Sequence, residues 1–124
     1  MEREEAILLV DDDQDLLDVQ AEVLLTLGRL RVYQAHSGSE ALDLYAALAP
    51  ALVIIDEGLA DMGGSELLRR LRLDNECARR PALFVTGARS SVRCLPGDVV
   101  LEKPVAMQCL LDAVEALVPA SSMG

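Results

Sequence analysis

Ala6-Ile7-Leu8-Leu9-Val10-Asp11-Asp12-Asp13 is an apolar run that ends in three consecutive carboxylates. Without alternation, a run of this length suits a strand buried on both faces of a parallel sheet. Three adjacent anions at its tip repel one another and call for a cation. A second stretch, Ala51-Leu52-Val53-Ile54-Ile55-Asp56, is apolar until it too ends in a carboxylate. Two buried strands that hand acidic groups to one sheet edge describe a hard-cation site.

The bulk properties narrow the possibilities. A chain of 124 residues is one domain, with an expected core over about 5–118, and buries roughly two-thirds of its unfolded surface. Hydrophobic residues make up 52% and aromatics only 2%, so Leu, Val, Ile and Ala must build the core. A net charge of −10 argues against direct binding to nucleic acid or to an anionic membrane. No apolar run approaches the roughly 18 residues of a membrane span, and the acidic start lacks a signal-peptide pattern. Cys77, Cys94 and Cys109 form no CxxC pair and read as reduced packing thiols in a cytoplasmic protein.

Strand and helix signals alternate outward from the first run. A strand over 6–11 leads to a helix over 14–27, with Leu16, Val19 and Val23 as its apolar face, Asp13 as its cap and Gly28 as its stop. A second strand spans 30–35. Ser37-Gly38-Ser39-Glu40 is a capping-box pattern, and Ala41, Leu44, Tyr45 and Leu48 then share one helix face before Pro50. The third strand, 52–56, leads through a Gly-rich loop over 58–64 into an Arg-rich helix near 65–73. Strands over 82–86 and 98–102 follow, and a last helix carries Met107, Leu110, Leu111 and Val114 on one face. The Arg69-Arg70-Arg72 and Arg79-Arg80 clusters read as solvated faces. His36 reads as an ordinary loop residue.

Alternating β and α units predict a parallel sheet covered on both sides, an α/β fold of the flavodoxin-like, doubly wound kind. Right-handed crossovers favour the strand order 2-1-3-4-5. Asp11, Asp12 and Asp56 then meet at the topological switch point, where such sheets bind ligands. Phe84-Val85-Thr86 brings a hydroxyl to the same edge, and Leu101-Glu102-Lys103-Pro104 an ammonium. Alone, Thr86 is a strand-end threonine and Lys103 a solvated lysine; together with three carboxylates they suit phosphoryl transfer to an aspartate.

With these residues in place the chain resembles the receiver domains of bacterial two-component response regulators. The resemblance rests on Val10-Asp11-Asp12, Ser37-Gly38-Ser39-Glu40-Ala41-Leu42, Ile54-Ile55-Asp56, Val85-Thr86-Gly87 and Lys103-Pro104, in the family's order. It implies phosphoryl transfer from a sensor histidine kinase or phosphotransfer protein onto Asp56, with Mg²⁺ held by Asp11, Asp12, Asp56 and the Gly58 backbone carbonyl. It further implies that Thr86 and Lys103 bind the phosphoryl oxygens, that the Lys103–Pro104 bond is cis, and that Gly58 and Ala88 flank the path of the hydrolytic water.

This chain also departs from the family's pattern. Asp56-Glu57-Gly58-Leu59-Ala60 lacks the usual Pro, and Val100 stands where a rotating Tyr or Phe switch is usual. The segment from Thr86 to Lys103 is several residues short, so the family's fourth helix is expected to be shortened or missing. A signal is then expected to be expressed in the loop over 87–97. The expected function is a phosphoacceptor module acting on an output protein or fused output domain, either alone or as part of a longer chain, and not an enzyme beyond its own phosphorylation and hydrolysis. Two alternatives are a degenerate receiver acting as a phosphorylation-independent interaction module and a small Mg²⁺-dependent phosphatase. Against the phosphatase, no second Asp lies two positions after Asp56.

Overall fold

The structure is a computed structural model that describes residues 5–74, 80–87 and 97–119. Its elements run β1 (Glu5–Val10), α1 (Gln14–Leu25), β2 (Leu30–Ala35), α2 (Gly38–Leu48), β3 (Leu52–Asp56), α3 (Gly64–Asp74), β4 (Ala82–Thr86), β5 (Val99–Glu102) and α4 (Met107–Leu117). All strand pairs are parallel, and the sheet order is β2-β1-β3-β4-β5, as the alternating units with right-handed crossovers predict.

The central strands are buried on both faces, so adjacent residues enter different cores. Leu8, Val10, Val53, Ile55, Ala82 and Phe84 pack beneath α2 and α3, against Ala41, Tyr45, Leu67 and Leu71. On the other face Ile7, Leu9, Leu52, Ile54, Leu83 and Val85 pack against Leu17 and Leu24 of α1 and Leu110 and Val114 of α4. Each fully buried Leu, Ile or Val contributes roughly 1.5–3 kcal/mol of transfer free energy. This apolar sandwich therefore fixes the frame on which the strand ends are displayed.

Helix ends follow local chemistry. The Asp13 carboxylate accepts from the N–H groups of Asp15 and Leu16 at 3.0 and 3.3 Å, which starts α1 as expected. The Ser37 hydroxyl accepts from the Glu40 N–H at 3.1 Å, but Glu40 turns its carboxylate to the His36 N–H at 2.6 Å, one residue earlier than a capping box requires. After α2 the chain turns through Ala49 at φ 45°, and Arg80 donates to the freed carbonyls of Ala49 and Pro50 at 2.7 and 3.0 Å.

Three expectations need correction. The inward face of α1 is Leu17, Gln20 and Leu24, whereas Val19 is 46% exposed, so the expected face was one position out of phase. Arg72 is not solvated. Its guanidinium donates to both oxygens of the buried Asp98 at 2.7 and 2.9 Å, and Asp98 also accepts from the Ala82 N–H at 3.1 Å. Cys109 is exposed rather than packed. Arg69 and Arg70 do lie on the surface, paired with Glu66. Cys77, Cys94, Arg79 and Ala88, and nearly all of the loop over 87–97 with the expected shortening of the fourth helix, lie outside the described residues.

Candidate functional site

The carboxyl edge of the sheet gathers the acidic residues. β1 hands over Asp11, 4% exposed, and then the exposed Asp12, while β3 ends in Asp56, 8% exposed. One carboxylate oxygen from each lies within 4.8 Å of the others. β1 and β3 are register neighbours through Val10 and Ile55, so this meeting is dictated by strand order.

β4 and β5 complete the edge. Thr86 is buried, and its carbonyl accepts from the Lys103 N–H at 2.9 Å. That bond extends the β4–β5 pairing to Lys103, whose Nζ lies 3.2 Å from Asp56 Oδ1 with the side chain 40% exposed. The Lys103–Pro104 peptide is cis. Four strand ends thus bring Asp11 with Asp12, Asp56, Thr86 and Lys103 to one edge of the sheet.

The electrostatics are unbalanced. Burial pushes the Asp11 carboxyl above the ordinary carboxylate range; the Asp13 N–H at 2.9 Å pulls the other way, and nearby Asp56 pushes further up. A single ammonium faces three carboxylates in this cluster, so a divalent cation offsets repulsion that Lys103 alone leaves. Oxygen donors in a half-open acidic cluster fit Mg²⁺, which keeps several waters and takes few protein ligands.

The loop over 57–63 is fastened at both ends by carboxylates absent from the expectations. Glu57 accepts from the Ser65 N–H and hydroxyl at 3.2 and 2.9 Å, tying the residue after Asp56 to the start of α3. Asp61 accepts from the N–H groups of Gly38 and Ser39 at 2.9 and 3.0 Å, tying the loop to the start of α2. Those amides hold the Asp61 carboxyl below its ordinary value. Gly64 is pressed against Asp56: a Cβ there would meet Ile55 at 2.7 Å and the Asp56 carbonyl at 3.1 Å. Position 58 borders the site, since a Cβ on Gly58 would lie 3.9 Å from Asp56 Oδ2. No local pattern links residue 61 to residue 38, so sequence reading had no signal for that tether.

His36 and Val100 stand apart from the cluster. His36 contacts Glu40 through Nδ1 at 3.1 Å and Gln14 through Nε2, on a polar surface patch shared with Asp18 and Gln34. Val100 pairs in register with Phe84 and packs, half-buried, against the core on the α2–α3 face.

Comparison with known proteins agrees with this geometry. A family model described as the response regulator receiver domain matches residues 7–115. The chain is 30% identical over 121 residues to the transcriptional regulatory protein TrcR of Mycobacterium tuberculosis, covering 94% of this chain and 46% of that protein. It is 30% identical over 117 residues to the cell cycle response regulator CtrA of Brucella ovis, covering 90% and 49%. It therefore spans about half the length of these relatives. Among solved structures, the non-phosphorylated HemR receiver domain of Leptospira biflexa superposes with a TM-score of 0.81 at 29% identity, covering 95% of this chain and 97% of that one.

Proposed function

We propose, for a chain that belongs to the response regulator receiver domain family, that Asp56 accepts a phosphoryl group from a phosphohistidine. The donor is a sensor histidine kinase or a phosphotransfer protein in the cytoplasm. One observation carries the reading: the Asp56 carboxylate ends a buried strand with Lys103 at 3.2 Å and two further carboxylates beside it.

An Asp56 oxygen attacks phosphorus in line as the P–N bond to the donor imidazole breaks, its electron pair leaving on nitrogen. Lys103 and the Thr86 hydroxyl bind the non-bridging oxygens as charge gathers on them. Asp11, Asp12, Asp56 and the Gly58 carbonyl would hold Mg²⁺, which when bound neutralises both the carboxylates and the incoming phosphoryl group. Val100, β-branched and half-buried, replaces any swinging aromatic, so output passes through another surface to an output protein or a fused output domain. The chain is a signalling module whose only chemistry is gaining and losing its own phosphoryl group.

Acetyl phosphate with and without Mg²⁺ tests the reading. The wild-type protein should gain one acid-labile phosphate per chain, only with Mg²⁺, and Asp56→Asn should gain none while keeping its circular dichroism spectrum. Label on His36, Asp11 or Asp12 of the wild-type protein would overturn the assignment. No label at all would favour a phosphorylation-independent interaction module, and continuous turnover of phosphomonoesters a phosphatase.

A further inference from the structure

Helix α3 starts on a residue that has no side chain to cap it. The Leu67 N–H donates to the Gly63 carbonyl at 2.9 Å, so the capping position falls on a glycine. Glu57 supplies the acceptor instead. Its Oε1 takes the Ser65 N–H at 3.2 Å and its Oε2 the Ser65 hydroxyl at 2.9 Å. The Glu57 backbone is held as well: its N–H donates to the Val85 carbonyl at 3.3 Å, and its carbonyl accepts from the Gly64 N–H at 3.2 Å. Two glycines make room for this approach. A Cβ on Gly63 would stand 3.1 Å from Glu57 Oε1, and one on Gly64 would stand 3.0 Å from Glu57 Cα. On the other side of Gly58, Leu59 is buried in the layer beneath α2 and α3.

We propose that Glu57 is a positioning residue for the phosphoryl site: it clamps the peptide after Asp56 to α3 and so readies the Gly58 carbonyl for Mg²⁺. This inference rests on the function proposed above. Gly58 lies between Glu57, held through backbone and side chain, and Leu59, held by packing, so the loop bordering Asp56 is set before any ligand arrives. Without the clamp, a glycine with wide backbone freedom would have to be ordered as the metal binds, which weakens binding. A carboxylate at 57 is otherwise unfavourable, because it adds a further anion directly after a cluster of three carboxylates faced by one ammonium. The α3 amides offset that charge, as a helix N-terminus does for an anion. An apolar residue at 57 would have avoided the repulsion and left α3 without its acceptor.

The test titrates Mg²⁺ into ¹⁵N-labelled unphosphorylated protein, with the backbone amides of Asp12, Asp13 and Gly58 as reporters. Glu57→Ala should weaken Mg²⁺ binding about tenfold. Glu57→Gln keeps an acceptor for the Ser65 N–H and a partner for its hydroxyl, and should stay within about twofold of wild type. Both substitutions remove the same charge, so their difference separates the clamp from simple attraction between Glu57 and the ion. A residue that served only to hold α3 would lower the thermal midpoint when truncated and leave the Mg²⁺ affinity of the folded protein unchanged. Where Glu57→Ala does not fold, Ser65→Ala carries the test: it keeps the amide, loses the hydroxyl and should weaken binding about threefold. Wild-type affinity in the truncated protein, or equal weakening by Glu57→Gln and Glu57→Ala, would overturn the proposal and leave the proposed function standing. A wild-type protein that binds no Mg²⁺ would overturn both.

Discussion

Asp98→Ala isolates what holds β5, and with it Lys103, against the rest of the sheet. In the wild type the Asp98 side chain is 1% exposed and the Arg72 side chain 15%, joined by two hydrogen bonds at 2.7 and 2.9 Å. Removing the carboxylate leaves a largely buried guanidinium without its anion, whose Nε already has no partner among the described residues, and strips the Ala82 N–H of its acceptor. Breaking one side of such a pair costs about 3–5 kcal/mol. With an unfolding entropy near 2.1 cal/mol/K per residue, 124 residues give about 0.26 kcal/mol/K, so Tm should fall by about 12–19 °C. Thermal unfolding followed by circular dichroism measures this. Replacing both partners, Arg72→Met with Asp98→Leu, should recover most of the loss, because it leaves no orphaned charge. A fall of under about 4 °C for Asp98→Ala would place the pair with screened surface bridges and refute the reasoning.

Mg²⁺ at ten times its dissociation constant should stabilise the protein by about 1.4 kcal/mol, or about 5 °C in Tm, and Asp12→Ala should remove most of that gain; an equal gain in both proteins would exclude this site. Acid should destabilise the fold in two identifiable places. Arg69 and Arg70 hold Glu66 at a pKa of about 2, and the α2 amides depress Asp61, so their stabilisation is complete above pH 4.5 and fades as pH falls toward 2. Urea midpoints of Asp61→Asn should therefore depend less on pH across that window than those of the wild type, and parallel curves would refute the tether. Gly58→Asn places an amide beside Asp56 Oδ2 and should shorten the phosphoryl lifetime about fivefold by orienting water, whereas an unchanged half-life would route the water elsewhere.

β1, β3 and β4 were legible because their apolar runs are uninterrupted, β2 and β5 from their place between helix signals, and strand order then brings Asp11 and Asp56 together. The α1 face was misread for a physical reason: Val19 is exposed and Gln20 buried, so hydrophobicity points the wrong way at both positions. Arg72 looked solvated because its partner lies 26 residues away, in a strand whose approach only tertiary structure decides. Glu57 and Asp61 escaped notice for the same reason, since each caps a helix through backbone amides that carry no side-chain signature.

The sheet itself divides the interior into two compartments. Leu8 and Leu9 are neighbours in the chain, yet one belongs to the layer beneath α2 and α3 and the other to the layer beneath α1 and α4. Leu9 and Leu83, distant in the chain, share a layer. Free energies of substitution should add across the divide and interact within each side. Either layer can thus be repacked over evolutionary time without a compensating change in the other, and only the carboxylate-bearing edge, where the strands that face both layers end together, answers to the two at once.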